Sequence, residues 1–278
     1  MATFATSEQL LVIIDPAARQ ADGESVRIAK DVLSAGAAAK VCLPEGPEEF
    51  ARALGRRGSR RPVVVGDDRA LVQAVTLLHR RRELAGCALS VVPVGETALA
   101  ESLGVPGGAV AAARAVLDGA ERRLDLLVDE SDGVVLSTLG IPPAPVRAAA
   151  AAPVPVASGR TWYRSLVRTL APRPPRLSSI PSPGPARLRV EVDGRTVVDL
   201  DHPLEAVTVT PGTGGHAEVE VRPLSLGAEA TPLRASGRAV TVTGTDFRYR
   251  ADATVSGPVR RRTWRVLEGA WGLVLPSA

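Results

Sequence analysis

The chain has 278 residues, 45% of them hydrophobic and only 3% aromatic, so its cores must be built from Val, Leu, Ile and Ala. That length is ample for a buried core and favours two domains over one. The 34 basic and 30 acidic residues leave a net charge of +4, too small an excess to imply nucleic acid as a partner. Only Lys30 and Lys40 are lysines, and an Arg, Ala, Gly and Pro bias of this kind fits a GC-rich genome better than a ligand. Cys42 and Cys87 both fall in apolar runs and read as reduced, buried thiols. His79, His202 and His216 have no metal-ligand spacing, which argues against zinc. No apolar run approaches the ~20 residues of a membrane span. No basic region followed by an apolar stretch opens the sequence, so the expectation is a cytoplasmic protein.

Residues 10–14 predict a first strand, ending at Asp15-Pro16. A helix follows over 24–35, with Val26, Ile28, Ala29, Val32 and Leu33 on one face. Residues 40–43 predict a strand and 47–54 a helix that starts on Pro47. The run Pro62-Val63-Val64-Val65-Gly66 reads as a buried strand, stopping at Gly66-Asp67-Asp68 before a helix over 69–84. A fourth strand covers 88–92 and ends at Pro93-Val94-Gly95, and helices lie near 97–103 and 108–118. Residues 123–128 and 133–137 form a strand pair. Strands alternating with helices predict an α/β domain over 1–137, three-layered around a mostly parallel sheet.

The pattern then changes. Residues 138–186 are rich in Ala and Pro and read as a linker carrying one short helix around Trp162 to Leu170. Residues 187–278 alternate in short strands, with hairpin turns at Asp193-Gly194 and Pro211-Gly212. The expected strands are 188–192, 207–210, 217–221, 239–243, 247–255, 264–267 and 271–275, giving an all-β sandwich. Its final strands are expected to return toward the first domain.

In open α/β sheets, ligands sit where a strand ends and its helix begins. The Gly66-Asp67-Asp68-Arg69-Ala70 turn resembles the Gly-Gly-Asp-Gly-Thr loop of the diacylglycerol kinase and NAD kinase superfamily, and the resemblance extends over nearly the whole chain. Ile14-Asp15-Pro16 stands at the family's Asn-Pro step. Pro93-Val94-Gly95-Glu96-Thr97-Ala98 stands at its Pro-x-Gly-Thr-x-Asn-Asp loop, Leu124-Asp125 at its (Ile/Leu)-Asp, and Asp252-Ala253-Thr254 at its Asp-Gly-Glu. Gly212, Gly214 and Gly215 resemble the family's Gly-rich loop in the sandwich.

The resemblance implies ATP-dependent phosphoryl transfer to a lipid hydroxyl, with ATP and Mg²⁺ as cofactors and a lipid or an anionic membrane surface as partner. It places Asp252 as general base and Asp68 in the nucleotide or metal site. Gly66, Asp67, Arg69, Gly95, Glu96 and Thr97 would line the nucleotide. It leaves the metal ligands undefined. The chemistry has been altered, however. Asp67 and Arg69 replace two loop glycines, and the Asn-Asp of the second loop is gone. A carboxylate there repels phosphate, while Arg69 would attract it. A catalytically inactive, nucleotide-, lipid- or partner-binding protein therefore stands beside the lipid kinase. Asp68 also reads as a helix N-cap, Asp252 as a solvated strand residue, and Gly66 and Gly95 as tight turns. The clusters Arg56 to Arg61, Arg80 to Arg82 and Arg260 to Arg262 read as anionic-lipid contacts or as solvated charge.

Overall fold

The computed structural model describes residues 9–143, 186–224 and 231–277. The expected linker helix around 162–170 lies outside them. The chain begins with β1 (Gln9–Ile14), α1 (Pro16–Ala21), α2 (Gly23–Gly36), β2 (Ala38–Cys42), α3 (Pro47–Gly55), β3 (Arg61–Gly66), α4 (Asp68–Arg80) and β4 (Ala88–Pro93). It continues through α5 (Ala98–Ser102), α6 (Ala109–Asp118), β5 (Ala120–Asp129), β6 (Val134–Val135) and β7 (Leu139–Ile141). The remaining strands are β8 (Ala186–Val192), β9 (Arg195–Val198), β10 (Pro203–Pro211), β11 (Ala217–Pro223), β12 (Leu233–Gly237), β13 (Ala239–Ala251) and β14 (Thr254–Leu275).

Strands β2, β1, β3 and β4 pair in parallel in that order. β1 and β3 bury nearly every side chain, as a parallel sheet covered on both faces requires. One core packs α3, α4 and α5 against one face of the sheet, and a second packs α2 and α6 against the other. The β-rich part closes around a third core that includes Val190, Val207, Val242, Phe247 and Trp264. Alternating burial along β8 and β11 marks one inward and one solvated face.

Two sequence expectations are corrected. Residues 247–255 are not one strand: β13 ends at Ala251, and Asp252-Ala253 forms a two-residue turn into β14, closed by the Ala251–Thr254 pair. Residues 264–267 and 271–275 are one strand, not two. β14 runs 22 residues, with an irregularity between Leu267 and Trp271 where Gly269 takes φ 50°. Its first part pairs with β13, while its last residues pair antiparallel with β5 and parallel with β4. It thereby becomes the fifth strand of the parallel sheet. Helix α1 and strand β12 had no clear sequence signal, since one is six residues long and the other is an exposed edge strand.

Candidate functional site

The carboxyl ends of β1, β3 and β4 come together in one crest. The amide of Asp15 donates to Val65 O (2.9 Å), that of Val94 to Gly66 O (2.9 Å) and that of Asp68 to Glu96 O (2.8 Å). The last of these bonds ties the two loops that the sequence singled out.

Gly66 is required by packing. A Cβ there would lie 2.8 Å from Ala70 Cβ and 3.1 Å from Asp15 Cβ. Gly95 takes φ 101°, a conformation that strains any L side chain, and a Cβ on it would meet Asp67 Cβ at 3.5 Å. Glu96 is exposed and Thr97 half-buried, with its hydroxyl donating to Glu101 (2.9 Å). Arg69 is exposed on the first turn of α4.

The helix starts at this crest are closed by the chain's own acids. Asp15 accepts from Ala17 N (2.8 Å) at α1. Asp67, not Asp68, is the N-cap of α4, accepting from Ala70 N at 3.0 Å. Asp68 is buried and reaches sideways: the amides of Leu99 (2.9 Å) and Ala100 (3.1 Å), at the start of α5, both donate to its carboxylate. Burial raises the pKa of Asp68, with Asp67 and Glu96 adding to the rise and the two amides opposing it. Burial likewise raises that of Asp15, with Asp67 again contributing.

Asp252 sits at the β13–β14 turn with φ 47°, a left-handed conformation that Asp tolerates better than most residues. It is half-buried rather than a solvated strand residue. Its Oδ2 accepts from Leu136 N (2.6 Å), and its Oδ1 from Ser137 N (2.9 Å) and Thr138 N (2.9 Å). Burial raises its pKa against those three amides, and Asp68 raises it further. Both carboxylates are thus held in sites built of backbone amides, Asp68 by the start of α5 and Asp252 by residues 136–138.

Further along β5, Asp125 accepts from Gly215 N (2.8 Å) and Gly269 N (2.7 Å), which seats the Gly-rich loop against the irregularity in β14. Several cluster arginines serve packing: Arg57 pairs with Glu83, and Arg61 donates to Val116 O at 2.6 Å and to Ser90 Oγ at 3.2 Å. Sequence reasoning missed the set formed by Asp129, Tyr249 and Arg262. Its one available signal was a tyrosine and an arginine on adjacent strands of a chain with two tyrosines in all.

The amides at this crest do not fit the phosphates of ATP as they stand. Phosphate groups bind free amides at helix starts, and here Asp67 and Asp68 hold those amides. No group of three or more His, Cys, Asp or Glu side chains is arranged to hold a metal ion among the described residues.

No family model and no curated protein matches the sequence. Solved structures do match it. Two are described as a "putative diacylglycerol kinase" from Bacillus anthracis str. Sterne. The first has a TM-score of 0.71 at 13% identity, covering 99% of this chain and 98% of that one. The second has a TM-score of 0.68 at 14% identity, covering 98% of each. A third, described as a diacylglycerol kinase from the same organism, has a TM-score of 0.67 at 14% identity, again covering 98% of each. The described residues thus share the fold of these diacylglycerol kinase-like proteins. No helix among the described residues is long and apolar enough to cross a membrane.

Proposed function

We propose that this chain is a diacylglycerol kinase-like protein whose nucleotide crest is closed by its own carboxylates, and that it works by binding a lipid or a partner rather than by phosphoryl transfer. The observation that carries this reading is the double closure by Asp67 and Asp68 of the starts of α4 and α5. A carboxylate ~4 Å from a phosphate charge repels it by about 4 kcal/mol at an effective dielectric of 20, roughly a thousandfold in affinity. Such a protein would reside in the cytoplasm or at the membrane surface.

The test is ATP titration by calorimetry, with and without Mg²⁺, on the full chain and on Asp67→Gly. Glycine at an N-cap costs only a few tenths of a kcal/mol relative to Asp, so the variant should fold. The expected result is no saturable binding by the wild type at millimolar ATP and measurable binding by Asp67→Gly. Magnesium-dependent micromolar binding by the wild type overturns the reading.

The raised pKa of Asp252, caused first by burial, favours a second reading, the ATP-dependent lipid kinase, in which Asp252 would accept the proton of the lipid hydroxyl. Three amides already occupy the Asp252 carboxylate, which leaves it little lone-pair capacity for that role.

A further inference from the structure

The parallel sheet ends at β2. Among the described residues this strand pairs only with β1, in unbroken register from Ala38 to Cys42, so its outer N–H and C=O groups meet no other strand. Its two faces differ. Ala39 and Val41 pack into the core beneath α2. On the other face α3 packs over β1 and leaves a pocket of about 330 Å³ beside Lys40 and Cys42. The pocket thus opens alongside a strand edge, where a peptide's backbone and its side chains can be recognised together.

Its floor is apolar, made by Leu11, Cys42 and Ala53, with Leu43 and Pro44 at the end of the strand. Leu43 is 54% exposed, the most exposed large hydrophobic side chain among the described residues. The walls are cationic: Lys40, Arg52 and Arg56 stand against one acid, Glu49. Glu49 is already committed. Its Oε2 accepts from the Glu45 amide (3.0 Å), and its Oε1 faces Arg52 Nη2 at 3.5 Å. No ion pair holds Lys40 or Arg56 among the described residues. Three cations less one acid leave the pocket with two positive charges in excess.

Lys40 decides which strand the edge accepts. A lysine on an edge strand opposes pairing with a second copy, because the two edges bring like charges together. The same lysine attracts an acidic strand, so one side chain both excludes and selects. In an added strand alternate side chains point to one face. Those on the α3 side meet the cations and the apolar floor of the pocket.

We infer that β2 and this pocket take up an extended acidic segment of a partner protein, laid along the open edge as a further strand, with carboxylates on Lys40 and Arg56 and an apolar side chain over Leu11 and Ala53. The inference goes beyond the closed crest and does not depend on it, because neither Asp67 nor Asp68 lines the pocket. The ATP titration and the peptide titration therefore fail separately.

The experiment titrates the full chain, by calorimetry at low salt, with the capped peptide Thr-Glu-Thr-Leu-Thr-Glu-Thr, whose glutamates and leucine share one face of a strand. A second peptide carries lysine in place of both glutamates. Two more are N-methylated, one at the threonines and one at the glutamates and leucine. A strand offers the N–H groups of alternate residues to one neighbour, so one of these two loses its ladder with β2. Lys40→Glu and Arg56→Glu reverse exposed charges and should fold normally. The expected result is saturable binding of the acidic peptide, weakened about tenfold or more by either reversal, with no binding of the lysine peptide to the wild type. One N-methylated peptide should keep its binding and the other lose it. The double variant Lys40→Glu, Arg56→Glu should gain affinity for the lysine peptide, which also shows that it is folded. The inference is overturned if the acidic peptide fails to bind at millimolar concentration, if both N-methylated peptides bind as the parent does, or if the reversals change nothing. A dimer of the chain in analytical sedimentation that the acidic peptide disrupts assigns the edge to a second copy and likewise overturns it.

Discussion

Replacing Asp252 by Asn separates a carboxylate that holds the fold from one that does chemistry. Asn tolerates the left-handed backbone at this turn, so the φ of 47° adds no strain. The Asn carbonyl can take the place of Oδ1 and keep the bonds from Ser137 and Thr138. Each then falls from a charge-assisted to a neutral hydrogen bond, a loss of about 1 kcal/mol apiece. The Asn NH₂ group must face the amide of Leu136, a buried residue whose N–H loses its acceptor, at about 1–3 kcal/mol. The gross loss is therefore about 3–5 kcal/mol. Relief of a charge that desolvation disfavours works in the opposite direction and trims it. A net destabilisation of about 1–4 kcal/mol is expected, or about 2–4 °C in Tm for each kcal/mol. Urea denaturation followed by the fluorescence of Trp264 and Trp271, both fully buried, measures it. A variant within 0.5 kcal/mol of wild type, roughly the size of a neutral surface substitution, refutes the clamp assignment. If that same variant also abolished a lipid kinase activity, Asp252 would be a base after all.

Asp68 and Asp252 both have raised pKa values, which fixes the sign of their contribution to the pH dependence of stability. Each binds its proton more tightly folded than unfolded, so stability is highest below the ordinary value of 3.8 and falls as pH rises through the raised values. Urea midpoints measured from about pH 4 to 7 should fall more steeply with pH in the wild type than in Asp68→Asn, and equal slopes would contradict the assignment. Asp67→Ala should lose about 1 kcal/mol through its missing cap, and Asp67→Gly only a few tenths. Denaturation midpoints that ranked the two variants the other way would show that Asp67 does not cap α4.

The frame of the fold was legible because it rests on local signals. The β-branched run of β3, the face of α2 and the Gly66 turn each follow from a few adjacent residues. What escaped depended on partners distant in sequence. Nothing near Asp68 announces that it accepts from Leu99 and Ala100, 31 and 32 positions away. Its neighbour Asp67 is an equally good cap by residue type, and packing of α5 decides between them. The turn at Asp252 was hidden because an Asp-Ala pair carries no glycine or proline to mark a break, and the left-handed residue is held there by the amides of residues 136–138. The Asp129, Tyr249 and Arg262 set was invisible for the same reason: the guanidinium of Arg262 is held by Asp129, more than a hundred positions earlier.

The span of β14 carries a consequence for the order in which the protein is made. The neighbour that β4 needs at Ala88 and Leu89 is Gly272 and Leu273, which leave the ribosome some 180 residues later. At 5–20 residues per second that interval is roughly 10–35 s. Throughout it the nascent parallel sheet carries an unpaired apolar edge along β4, whose residues 89–93 are all buried in the finished fold. Until β14 closes against it, that edge is a template on which another chain could pair, so the last residues made are the ones that seal the first-made sheet.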